Sequence, residues 1–175
     1  MKKIYILIVI FGLILMFFIT KNSLGNGYKF NDMGFDYWQS ILNDKGEVVP
    51  VKVVEYDSDD RYIISVRIII DMYECYDKNT VKFIPENNIA LPFISRKKLQ
   101  YWIIDKQKSI AYISENKINI EQKIKLLNLS LEFDDKDYKD NSYMKGFKSE
   151  LNPKYKCILT NDPLKNNIKI IDLDK

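Results

Sequence analysis

An α+β domain of mostly antiparallel strands, carried behind an N-terminal membrane segment, is the architecture the sequence predicts. Three observations point to it. Residues 4–19 are an unbroken apolar run, several short β-branched stretches alternate with Asp, Asn and Pro turns, and one stretch near residues 120–131 has helical spacing.

The apolar run follows Met1-Lys2-Lys3 and has the grammar of an export signal, a positive start followed by a greasy core. At about 1.5 Å per residue its 16 residues span about 24 Å, against about 30 Å of bilayer hydrocarbon. Thr20 and snorkelling by Lys3 and Lys21 bring a spanning helix within reach, with Ile4, Leu7, Phe11, Leu15 and Phe18 as membrane-anchor residues. Ser23-Leu24-Gly25 also offers small residues for cleavage after Gly25. Residues 1–25 are therefore read as a signal anchor or a signal peptide, and 26–175 as a single extracytoplasmic α+β domain. An anchor makes this a single-pass protein of the cell membrane. Cleavage near Gly25 makes it secreted or periplasmic. Lys2 and Lys3 stay on the cytoplasmic side in either case.

Beyond residue 25, about 150 residues suffice for one domain with its own core. The chain has 27 Lys plus Arg against 24 Asp plus Glu, but Lys2, Lys3 and Lys21 lie in the leading segment, which leaves 24 of each sign. The basic pI of the whole chain is thus a property of its leader, and no Lys/Arg stripe with interleaved aromatics argues for nucleic acid. Abundant Lys, Asn, Ile and Tyr with no His suggest an AT-rich bacterial genome.

Asn26 to Lys45, rich in Gly, Asn and Asp, reads as an irregular lead-in laying rings on the domain. Val48 to Tyr56, interrupted by Pro50, and Arg61 to Ile70 read as a hairpin about the turn Asp57-Ser58-Asp59-Asp60. Met72 to Tyr76 extends the second strand, and Thr80 to Ile84 and Ile89 to Ile94 are shorter candidates. Tyr101 to Asp105, the turn Lys106-Gln107-Lys108 and Ser109 to Ile113 form a second hairpin. A helix follows, with Asn119 as N-cap, Gln122 at capping-box spacing, Ile120, Ile124, Leu127 and Leu131 on its apolar face, and Asn128 as its stop. Asp134 to Ser142 reads as an exposed loop, and Tyr155 to Thr160 and Ile168 to Leu173 as two closing strands.

The absence of histidine removes Ser-His and Cys-His nucleophile pairs and imidazole metal ligands together. Two cysteines cannot make a Cys-rich zinc site, and with 6 Gly no phosphate-binding glycine fingerprint occurs. No catalytic residues, metal ligands or cofactor are predicted. Asp57, Asp59 and Asp60 lack the EF-hand spacing and read as a solvated turn. Tyr101, Trp102 and Tyr112 suit cross-strand packing more than a stacking surface. Outside the cytoplasm Cys75 and Cys157 are a possible disulfide; equally, each sits like a small apolar strand residue.

Tyr101-Trp102-Ile103-Ile104-Asp105, the polar turn, a strand ending Ala111-Tyr112-Ile113 and a helix closing in Leu-Leu-Asn-Leu resemble small exported bacterial proteins grouped as domain of unknown function 3997. About 30 residues carry the resemblance. It departs at Ile113-Ser114, where members carry Gly-Pro, and this chain lacks the lipoprotein cysteine of many members. The resemblance implies a cell-envelope location and no catalytic residues.

These features lead to a membrane-tethered or exported bacterial envelope protein, expected to be a protein-binding module without catalysis. Its expected partners are the membrane, through the N-terminal helix, and another envelope protein. The alternatives are an envelope hydrolase or glycan-active enzyme using carboxylate or Ser-Lys chemistry, and an immunity-type inhibitor of a toxin.

Overall fold

A computed structural model describes residues 22–32, 39–77, 93–134, 136, 138, 155–160 and 168–175. Among the described residues two β-sheets and one helix build the domain, which is mostly β. The first sheet is an antiparallel meander of β1 (Ser23–Gly25), β2 (Tyr28–Asp32), β3 (Gln39–Asn43) and β4 (Gly46–Val49). The second has the order β10-β8-β7-β6-β5, from β5 (Val53–Ser58), β6 (Tyr62–Asp77), β7 (Phe93–Asp105), β8 (Ile110–Ser114) and β10 (Lys169–Asp172). β9 (Tyr155–Thr160) pairs with β6 beyond the reach of β5. All these pairings are antiparallel except β10 with β8, which is parallel.

The central strand explains the layering. Every residue of β6 from Tyr62 to Ile70 is buried, as expected of a strand covered on both faces. Alternate side chains then go to two cores. Ile63, Trp102, Ile104 and Ala111 meet Leu24, Ile41 and Val49 between the two sheets. Ile64, Val66, Tyr101 and Ile103 meet Ile120, Ile124 and Leu131 beneath the helix α1 (Lys117–Leu127). Each such buried aliphatic side chain contributes about 1.5–3 kcal/mol of transfer free energy. Trp102 is fully buried and donates its ring N–H to Gln100, and Tyr101 packs edge-on against Phe133. These rings are packing elements, and no sugar-stacking surface forms from them.

Several boundaries differ from the expectation, each for a local reason. Asn26 to Lys45 is not an irregular lead-in: it contains β2 and β3, and its Gly and Asn residues serve the turns. Gly25, Asn26 and Gly27 carry φ of 78°, 51° and 79°, so three successive left-handed residues reverse the chain between β1 and β2. The expected strand over 48–56 is two strands, because Pro50 cannot donate to a ladder and Lys52 adopts φ 73°. The helix begins three residues earlier than Asn119. Asn116 is the N-cap, its side chain accepting from the Ile118 N–H at 3.0 Å, while Asn119 donates to Asp174 at 3.0 Å. Asn128 ends the helix in the left-handed region, as its sequence position suggested.

Cys75 and Cys157 stand directly opposite each other on β6 and β9 and are joined by a disulfide. β1 lies upstream of residue 26 and belongs to the fold: Leu24 is buried in the inter-sheet core, and the Phe30 N–H donates to Asn22 O at 2.8 Å. Ile4, Leu7, Phe11, Leu15 and Phe18, the strand candidate Thr80 to Ile84 and most of Ile89 to Ile94 lie outside the described residues. Among the described residues no helix is long and apolar enough to cross a membrane. Most of the expected loop from Asp134 to Ser142 is likewise outside, although Tyr138 within it is buried.

Candidate binding cleft

The two turns that the sequence marks as acidic or basic are structural. Asp59 Oδ1 accepts from the N–H of Arg61 and of Tyr62 at 2.7 and 2.6 Å, which folds the β5–β6 turn. Asp57 accepts from Ser58 N–H at 2.8 Å. These carboxylates cap backbone, and among the described residues no group of three or more acidic or Cys side chains could hold a metal. Asp105 caps the next turn through Gln107 and Lys108 and takes Arg61 Nη2 at 2.9 Å. Burial opposes its ionisation, but the Arg61 hydrogen bond and the two backbone donors outweigh it and hold the carboxyl below its ordinary range.

Lys52 and Lys106 are both buried, as the lysine of a Ser-Lys enzyme would be, and Lys106 Nζ donates to the main-chain carbonyls of Leu24 and Asp59. Desolvation pushes its pKa down, with Asp59 and Asp60 countering in part. Its recorded partners are carbonyl oxygens, which suits a structural clamp. Ser114, the buried hydroxyl near α1, donates to Asp174 at 2.5 Å and helps hold the C-terminal turn.

One concavity brings sequence-distant groups together. A cleft of about 500 Å³ lies between β5, the β2–β3 end of the first sheet and the segment 132–136. Residues 53–57 form its floor. On one side Phe30 stacks on Tyr56, ring centroids 4.3 Å apart, closing the corner between the sheets. On the other side stand Glu132, Asp134 and Lys136, with Lys136 paired to Asp134. The Asp134 N–H donates to Glu55 Oε1 at 2.7 Å and fixes this wall to β5. Oε2 of Glu55 is buried, with no hydrogen-bond partner among the described residues. Burial pushes the Glu55 carboxyl up, and the neighbouring Asp134 charge adds to it, while the Asp134 N–H and Lys136 act the other way.

The backbone of the floor is irregular. Val53 pairs with Arg67 and Glu55 with the adjacent Val66, so Val54 is the extra residue of a β-bulge. Bulges re-aim side chains at sheet edges. Here the bulge lets Val53 reach the inter-sheet core while Val54 packs against the helix-side core.

No protein-family model, no curated protein and no solved structure matches this chain.

Sequence reasoning assigned none of the cleft residues to a site, reading Asp57 as part of a solvated turn and Asp134 as part of an exposed loop. Glu55 and Asp134 are 79 residues apart, and neither neighbourhood carries a motif. The detectable signal was modest: an edge-like strand with two acidic residues, Glu55 and Asp57, where β-branched residues would be the ordinary choice.

Proposed function

We propose that this chain is a membrane-tethered protein of the bacterial envelope whose folded domain lies outside the cytoplasm and binds another protein without catalysis. The observation that carries the reading is continuity. Only Thr20, Lys21 and Asn22 separate the apolar run ending at Ile19 from β1, and β1 is part of the packed domain. Cleavage after Gly25 would remove a strand, a buried leucine and the carbonyl that Lys106 holds, so continuity favours an anchor that is kept. The Cys75–Cys157 disulfide fits an oxidising compartment. The resemblance to exported proteins around Tyr101–Asp105 points the same way.

A reporter active only outside the cytoplasm, fused after Lys175, is expected to be active, and mass spectrometry of the purified chain is expected to find residues before Ser23. A silent reporter on a stable fusion contradicts export, and a mature terminus at Asn26 contradicts the anchor.

A second reading is favoured by one observation: Glu55, with its raised pKa, shares a cleft with Glu132 and Asp134, as a carboxylate hydrolase would require. Turnover of an envelope glycan that disappears in Glu55→Gln while the fold persists would establish this reading in place of the first.

A further inference from the structure

The cleft presents a backbone edge as well as side chains. β5 closes one end of the six-stranded sheet, and among the described residues no strand pairs with its outer edge. Consecutive residues of a strand point to opposite faces, yet 53–57 all line the cleft. A groove touching all five runs along the strand's edge and not over one face.

We propose that this edge takes up a short extended peptide from a protein partner as an added strand, the peptide alternating apolar with basic side chains. The inference rests on the protein-binding reading above and names the surface and the partner's chemistry. Main-chain hydrogen bonds supply affinity in strand addition, and the surfaces on either side of the strand supply specificity. The two sides of this cleft differ. Tyr56 lies across from Ser65, beside Trp102, and so belongs to the inter-sheet face, where Phe30 stacks on it. Glu55 and Asp57 lie across from Val66 and Ile64, on the helix face, where the acidic wall stands. An added strand would alternate between those faces, one apolar and aromatic, the other acidic. Four carboxylates, Glu55, Asp57, Glu132 and Asp134, stand against the single ammonium of Lys136 along the cleft. Five residues of edge, at about 3.4 Å each, accommodate about 17 Å of strand.

The rival explanation is protective. Charged side chains and bulges on an edge strand deter sheet-to-sheet aggregation, and β5 has both. The two explanations separate in a titration of the full chain in detergent micelles with three fluorescent ten-residue peptides. One alternates Lys and Val, one alternates Glu and Val, and one is the Lys–Val peptide with every second amide N-methylated. Strand addition predicts that the Lys–Val peptide binds about tenfold or more tightly than the Glu–Val peptide. N-methylation costs a similar factor, because it removes the ladder donors. The double variant Glu132→Lys/Asp134→Lys, both at exposed positions, lowers affinity for Lys–Val and raises it for Glu–Val.

Equal binding of the two charge types, indifference to N-methylation, or an unchanged preference in the double variant each overturns the proposal. A photo-crosslinking residue at Gln39, in the cleft, and another at Leu126, exposed on α1, keep the two readings apart. Crosslinks to an envelope protein from Leu126 alone, with no peptide binding, sink the cleft proposal and leave the protein-binding reading standing. Silence at both positions with no peptide binding removes both.

Discussion

The ammonium of Lys106 donates to the carbonyl of Leu24 at 2.5 Å, joining residues 82 apart in sequence. The same ammonium donates to the carbonyl of Asp59, and Asn26 donates to Asp60 O at 3.0 Å nearby. β1, the β5–β6 turn and the β7–β8 turn are therefore tied at one point. A three-residue strand has little pairing of its own, so this tie and the burial of Leu24 hold β1 in the sheet.

Lys106→Ala is expected to destabilise the domain by about 2 kcal/mol, because two main-chain carbonyls lose their charged donor. The first region to loosen should be the N-terminal one. Urea denaturation reads the first effect, and limited proteolysis with identification of the cut sites reads the second.

Leu24→Ala should cost about 2–3 kcal/mol through a cavity between the sheets. The two substitutions share β1 and so should add to less than their sum. A double-mutant cycle in urea checks this, and strict additivity would mean that Lys106 does not act through β1.

The Cys75–Cys157 bridge closes a loop with a sequence separation of 82, worth about 4 kcal/mol in the chain-entropy treatment. Cys75→Ser/Cys157→Ser should lower the unfolding midpoint accordingly, and reduction of the native chain should lower it by a similar amount. In cells, the bridge should be present in the full chain and absent from a chain lacking residues 1–21, as non-reducing electrophoresis with thiol labelling would show.

Asp105 and Glu55 should shape the acid side of the stability profile in opposite senses. The native Asp105 carboxyl lies below its ordinary value near 3.8, so its contribution is complete above that pH and is lost as pH falls through the native value. Glu55 is raised above about 4.5, so its ionisation favours the unfolded chain, and stability falls as pH rises from there through the native value. Asp105→Asn should flatten the loss below pH 3.8, and Glu55→Gln the loss above pH 4.5. Denaturant midpoints between pH 2.5 and 7 measure both slopes.

Strand identity was readable where local chemistry and burial agree. The β7–β8 hairpin shows this: Tyr101 to Asp105 and Ile110 to Ile113 bracket a polar turn, and Trp102 and Ile104 face one core while Tyr101 and Ile103 face the other. The helix start was misread because its first three residues bury no apolar side chain. Ile118 is 60% exposed, so apolar spacing begins only at Ile120, and Asn119 looks like a cap although its amide is committed to Asp174 and Leu173. The first sheet was obscured because its strands are three to five residues long and its turn residues dominate the composition. The cleft was barely legible, through the acidic Glu55 and Asp57 alone. It depends on Phe30 meeting Tyr56 and on Asp134 meeting Glu55, contacts set by how layers close and not by spacing along the chain.

The hydrogen bond between Phe30 N–H and Asn22 O would carry a geometric corollary if residues 4–19 are held in a bilayer as proposed. Phe30 edges the cleft, and Asn22 is three positions past the last greasy side chain. Without slack between lipid and fold, the mouth of the groove could patrol only a thin layer above the headgroups. Under the proposed anchoring, whatever docks there would have to arrive along the bilayer or reach down to it.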